Sequence, residues 1–143
     1  MLLLDVNILI YAMREDSNRH SEYKHWLEEK LTSPETVGIS ELTLSALLRI
    51  TTNHRIFERP STSTQALDFC RAVLAGPAVI RVRPRERHWS IFERLVEQGS
   101  VRGNAIPDAY LAALALETNA TWVTRDRGFC QFPGLRLLDP LSD

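Results

Sequence analysis

The stretch Leu2-Leu3-Leu4-Asp5-Val6-Asn7-Ile8-Leu9-Ile10 decides the fold. Three consecutive apolar residues read as a strand covered on both faces, since a half-exposed strand would alternate with polar residues. Asp5 interrupts the run, and from about Asn7 to Met13 the apolar residues continue as a helix. A buried strand passing through one acidic residue into a helix is the opening of a βαβ unit. An open parallel sheet places its ligand crevice at the carboxyl ends of its strands, which is where Asp5 stands.

Outward from this opening the alternation continues. His20 to Leu31 reads as an amphipathic helix with Tyr23, Trp26, Leu27 and Leu31 inward, and Val37 to Ile39 as a second strand. Glu41 to Thr51 is a helix entered through Ser40, a favourable N-cap. Ser63 to Ala75 is another, capped by Ser63 or Thr64 and stopped by Gly76-Pro77. Val79 to Val82 reads as a third strand, and Glu86 to Gln98 as a helix with Trp89, Phe92 and Val96 inward. The last third yields the small-residue helix Ile106 to Glu117, the strand Thr121 to Thr124, a helical turn around Phe129 and a final strand near Leu135 to Leu138. The expectation is one α/β domain over residues 1–143 with no linker or repeat.

The 143 residues, 44% of them hydrophobic, suffice for a conventional core and exclude a disordered chain. The formal net charge of −1 supplies no basic excess of the kind a nucleic-acid tail needs. That total conceals unlike parts. Residues 1–48 hold 4 basic and 8 acidic side chains, 49–94 hold 9 and 4, and 95–143 hold 4 and 6. The two cysteines, Cys70 and Cys130, suit buried thiols in a reducing compartment better than a disulfide or a zinc knuckle. The apolar start ends at Asp5 and lacks a basic flank, so neither a signal peptide nor a membrane span is expected, and the chain reads as cytoplasmic.

Four acidic residues stand at chemically telling places. Asp5 and Asp126 follow strands, and Glu41 and Asp108 lie in first helical turns. Caps and turns account for each singly, because carboxylates are favoured at helix starts by about 0.3–1 kcal/mol. Asp108 is harder to dismiss: Leu111, Ala112 and Ala115 follow at i+3, i+4 and i+7, so it projects from the apolar edge of its helix without a nearby cation on that helix. If the sheet gathers the four, each pair ~5 Å apart repels by about 3 kcal/mol at an effective dielectric near 20. Such a cluster needs a cation or shared protons. Hard oxygen ligands without His or Cys select Mg²⁺ or Mn²⁺, whose natural work is activating water against a phosphodiester.

These residues in this order resemble the PIN-domain family, and within it the VapC-type ribonuclease toxins. The resemblance covers essentially the whole chain. It rests on the opening stretch, on Ile39-Ser40-Glu41-Leu42 continuing to Leu48-Arg49-Ile50, on Arg102-Gly103-Asn104-Ala105-Ile106-Pro107-Asp108 with the small-residue run that follows, and on Trp122-Val123-Thr124-Arg125-Asp126-Arg127-Gly128-Phe129. It implies a three-layer α/β/α sandwich with a mainly parallel sheet. It also implies a magnesium-dependent endoribonuclease, with Mn²⁺ able to substitute, acting as the toxin of a toxin–antitoxin pair. A VapB-type antitoxin, an RNA substrate and a homodimer come with it. Asp5, Glu41, Asp108 and Asp126 would form the acidic site, with Asp5, Asp108 and Asp126 on the metal and Asn7, Asn104 and Thr124 supporting them. Gly128 departs from relatives that carry a further acid there, and the helix bearing Glu41 varies among them.

The basic middle third concentrates in Arg81, Arg83, Arg85 and Arg87. Alternate strand residues share a face, so these form a candidate rim for RNA phosphate, or else a charged edge strand protected from pairing. Trp26, Trp89 and Trp122 read as core, and the four histidines form no catalytic set. A haloacid-dehalogenase-like phosphatase would need a second Asp where Asn7 stands, and a response-regulator receiver a late Lys. The remaining rivals are a PIN-domain RNA-processing nuclease without an antitoxin and an inactive RNA-binding PIN module.

Overall fold

The computed structural model describes residues 1–142. Five parallel strands, β1 (Leu2–Leu4), β2 (Val37–Ile39), β3 (Val79–Arg81), β4 (Thr121–Val123) and β5 (Arg136–Leu138), form one sheet in the order β3-β2-β1-β4-β5. Six helices pack on it: α1 (Val6–Met13), α2 (His20–Leu31), α3 (Glu41–Thr51), α4 (Ser63–Leu74), α5 (His88–Gly99) and α6 (Ile106–Glu117). The three-layer parallel architecture expected from the family resemblance is the one observed.

Strand alternation assigns the layers. Leu2, Leu4, Val37, Ile39 and Val123 pack with α1 to α4 on one face, while Leu3 and Trp122 pack with α5 and α6 on the other. Gly38 lies between Leu3 and Val82 on the second face: a Cβ there would sit 2.7 Å from the Val82 Cγ2 atom. The chain builds outward from β1 through β2 to β3, then crosses to β4 and β5 on the opposite side. The reversal leaves a crevice between the carboxyl ends of β1 and β4, the place where open α/β sheets bind ligands.

Several expectations need correction. The buried residues of α5 are His88, Ile91 and Leu95, while Trp89 is 64% exposed and Phe92 and Val96 are half-buried. Two stripes on that helix have similar spacing, and packing against α6 selects the one whose His88 ring bonds the Tyr110 carbonyl at 2.9 Å. The cap of α4 is Thr62, whose hydroxyl and Gln65 form a reciprocal capping box. Cys70 is buried as expected, but Cys130 is exposed.

Arg14, which closes α1, is a structural residue that its sequence position does not betray. Its buried guanidinium grips Asp16 at 2.7 and 2.9 Å, donates to the Ser61 hydroxyl at 2.9 Å and the Arg59 carbonyl at 2.8 Å, and lies 3.8 Å from the Phe57 ring centroid. It therefore ties the α3–α4 connection to α1. Arg14→Ala should cost about 2 kcal/mol, because two loop acceptors lose a charged donor while the exposed Asp16 returns to water. Urea unfolding midpoints measure this, and a change below about 0.5 kcal/mol, the scale of an ordinary surface substitution, would remove Arg14 from the account of loop order.

Candidate active site

Parallel pairing of Leu4 with Val123 brings the residues that follow, Asp5 and Thr124, to the same level at the crevice. Asp5 is buried and caps α1, its Oδ1 accepting the Val6 N–H at 2.7 Å. Its Oδ2 accepts the Thr124 hydroxyl at 2.7 Å and the Asn7 amide at 3.3 Å. The same Thr124 oxygen accepts the Asn7 amide at 3.1 Å and the Asp126 N–H at 2.9 Å. Asn7 Oδ1 in turn accepts the Arg125 N–H at 3.4 Å. One hydroxyl thus links the ends of β1 and β4 and orients Asp5 toward Asp126.

Burial pushes the Asp5 carboxyl up to about 6, against the Thr124 and Val6 hydrogen bonds that pull it down, and the charges of Asp108 and Asp126 add to the rise. Asp108, on the first turn of α6, is raised by burial first and by Asp126 second. Asp126 is exposed and caps the turn Arg127–Gln131, its Oδ1 accepting the Gly128 N–H at 2.8 Å. A Cβ at residue 128 would stand 3.0 Å from that oxygen, so glycine leaves Asp126 room. Three carboxylates from three elements therefore act on one another across the crevice.

Glu41 stands apart from these three. Its carboxylate accepts Arg83 at 3.0 and 3.1 Å and lies 3.7 Å from Arg81. The reason is register: Ile39 pairs with Arg81, so Glu41 and Arg83 leave adjacent strands at equal offsets. The arginine stripe is divided. Arg85 donates its backbone N–H to the buried Glu117 carboxylate at 2.8 Å, and the Arg87 guanidinium bonds the Glu117 carbonyl at 3.0 Å. Asn104 is exposed in the 3₁₀ turn Gly103–Ala105, outside the Asp5 network.

Among the described residues, no three His, Cys, Asp or Glu side chains converge as a ready-made metal cage. The donors nevertheless fit a hard cation. Mg²⁺ takes one or two carboxylates and keeps several waters, and burial first, then the charges of neighbouring carboxylates, makes a cation favourable beside Asp5 and Asp108.

A short-stranded parallel sheet with carboxylates gathered at its central switch point defines the class. The chain belongs to the PIN domain family, which it matches over residues 2–135. Within that family it falls among the VapC ribonucleases. Ribonuclease VapC43 of Mycobacterium tuberculosis is 44% identical over 142 residues, covering 99% of this chain and 97% of that protein. Ribonuclease VapC25 of the same organism is 36% identical over 140 residues, covering 98% and 99%. Among solved structures, VapBC2 from Rickettsia felis, bound to a DNA fragment from its promoter, superposes with a TM-score of 0.69. At 23% identity and 96% coverage of both chains, that likeness speaks for the fold. No helix among the described residues is long and apolar enough to cross a membrane.

Proposed function

We propose that this protein is a magnesium-dependent endoribonuclease, the toxin of a toxin–antitoxin pair, that hydrolyses RNA phosphodiester bonds at Asp5, Asp108 and Asp126. The observation that carries this reading is the buried Asp5 carboxyl at the sheet's switch point, joined through the Thr124 hydroxyl to the Asp126 backbone, with the Asp108 and Asp126 charges acting on it. Asp5, Asp108 and Asp126 would hold Mg²⁺, with Mn²⁺ able to replace it. A cation bound there lowers the pKa of water and offsets charge on the phosphorus.

The chain's own residues supply orientation. Thr124 and Asn7 fix Asp5 through its Oδ2. Asp126, with Oδ1 committed to the Gly128 N–H, keeps Oδ2 for a water proton. Glu41 acts at one remove, holding the Arg83 guanidinium at the rim where RNA phosphate would arrive. Arg81 extends that rim, whereas Arg85 and Arg87 are held by Glu117 at the end of α6 remote from Asp108 and lie outside it.

The VapB-type antitoxin is proposed as partner because the matched structure from Rickettsia felis is by its description a VapBC assembly. A homodimer accompanies it, as the resemblance to the family implies. The protein's site of action is proposed to be the cytoplasm, where the RNA of its own cell lies.

The test is a cleavage assay on single-stranded RNA. EDTA should stop the reaction, Mg²⁺ or Mn²⁺ should restore it, and the new ends should carry 5′-phosphate and 3′-hydroxyl. Cleavage that persists in EDTA would remove the metal from the mechanism.

A further inference from the structure

A groove of about 680 Å³ opens between the first turn of α3, the segment after β3, α5 and the first turn of α6. Its walls include Leu42, Pro84, Phe92, Pro107 and Tyr110, with Arg83 at its margin. None of these side chains belongs to the Asp5 network, yet the groove adjoins it. Pro107 directly precedes Asp108, and Glu41 lines the same space.

The groove is apolar and partly aromatic, with an arginine–glutamate pair at its margin. Phe92 and Tyr110 meet edge to face, their centroids 5.5 Å apart at 71°. Both rings also pack against His88, and Phe92 against Trp89, so what the half-buried pair offers the groove is the part of each ring these neighbours leave uncovered. The Tyr110 hydroxyl makes no hydrogen bond among the described residues. Leu42 is 48% exposed on the opposite wall, an apolar surface left to water. The positive charge is placed to match: Arg83 spends Nε and Nη2 on the single oxygen Oε1 of Glu41, so Nη1 still has donors for an anion. Proteins that bind unpaired RNA combine aromatic or apolar faces for the base with a cation for the backbone.

We propose that this groove seats one unpaired nucleobase of the RNA substrate, that of a nucleotide adjoining the bond cut at the acidic crevice, with Arg83 on its phosphate. The inference rests on the ribonuclease reading and adds a specificity element to it. Phe92, Tyr110 and Leu42 are the base contacts. The RNA is read there in single-stranded form, because a paired base cannot leave its stack to enter an apolar groove without the cost of opening the pair.

The experiment measures fluorescence anisotropy of labelled mixed-sequence RNA decamers, each carrying one abasic ribose at a different position, with Asp5→Asn protein so that no cleavage intervenes. One abasic position should weaken binding by about 10-fold, the scale of a lost base stack. Tyr110→Leu and Phe92→Leu, which keep apolar volume but remove a ring, should lose a similar factor on complete RNA and become indifferent to that abasic position. Tyr110→Phe should keep the sensitivity. Leu42→Ala, at an exposed site that cannot compromise the fold, should weaken binding to complete RNA more than to the abasic RNA. A flat abasic series, decamers that do not bind, or ring variants that lose equally on complete and abasic RNA would overturn the proposal. Unchanged RNA affinity with an altered mass on size-exclusion chromatography would likewise overturn it and give the groove to a second copy of the chain. Wild-type cleavage assayed in parallel separates the two readings. RNA cut normally beside a flat abasic series leaves the nuclease standing without this base seat.

Discussion

Asp5→Asn is expected to abolish RNA cleavage, with a loss of at least about 1000-fold, while the chain still folds. The magnitude follows from what the carboxylate is asked to do: a metal site supplies several kcal/mol of transition-state stabilisation, and each 1.36 kcal/mol is tenfold in rate. Asp5 is the most enclosed of the three acids and the one on which the Thr124 and Asn7 bonds converge. An amide of the same shape keeps an oxygen for the Val6 N–H cap, so α1 retains its start. It removes the negative charge and turns an acceptor into a donor where Asn7 already donates. Single-turnover assays on end-labelled RNA give the rate, and far-ultraviolet circular dichroism with thermal melting shows that the fold survives. A variant that cuts within about tenfold of the wild type, a difference of only 1.36 kcal/mol, would mean that Asp5 is merely the cap of α1.

Much of this site is legible in the sequence alone, and the reasons differ by residue. Asp5 is legible because a fully apolar strand leaves few alternatives for where its carboxyl end lies. Asp108 is legible because a charge on an apolar helix edge is costly unless it has a purpose. The mutual effect of Asp5, Asp108 and Asp126 is not legible in the same way, since it depends on β4 lying beside β1. Glu41 illustrates the limit. Its place in the first turn of α3 is plain from the sequence, but its pairing with Arg83 follows from β3 lying beside β2, a tertiary fact that no local spacing encodes. Trp89 fails for another reason: two stripes on α5 satisfy helical periodicity, and only contact with α6 decides between them. The Thr124 hydroxyl touches Asp5, Asn7 and the Asp126 backbone together, a junction that requires β4 beside β1 and that no local spacing encodes.

The burial that raises the Asp5 carboxyl should make the metal-free chain lose stability as pH rises from about 4 to about 6. The folded chain holds the Asp5 proton up to about 6, against a reference of 3.8, so across that interval the native state binds more protons than the unfolded state. Stability is then fully present below the unfolded value and is lost as pH passes through the folded one. A difference of roughly two units corresponds to about 3 kcal/mol at most. Asp108, also raised, acts in the same direction. Asp16, lowered by the Arg14 hydrogen bonds, acts oppositely, and its contribution disappears only as pH falls below the ordinary carboxylate range. The two windows are therefore separable. Urea midpoints measured in EDTA between pH 4 and 7 should decline for the wild type, and the decline should be much shallower in Asp5→Asn, which has no carboxyl to titrate. Added Mg²⁺ should restore stability at pH 7 far more than at pH 4.5, because it binds the charged carboxylates that the higher pH exposes. Parallel curves for the wild type and Asp5→Asn would show that Asp5 ionises without penalty, and the electrostatic case for a cation at this crevice would fall with it.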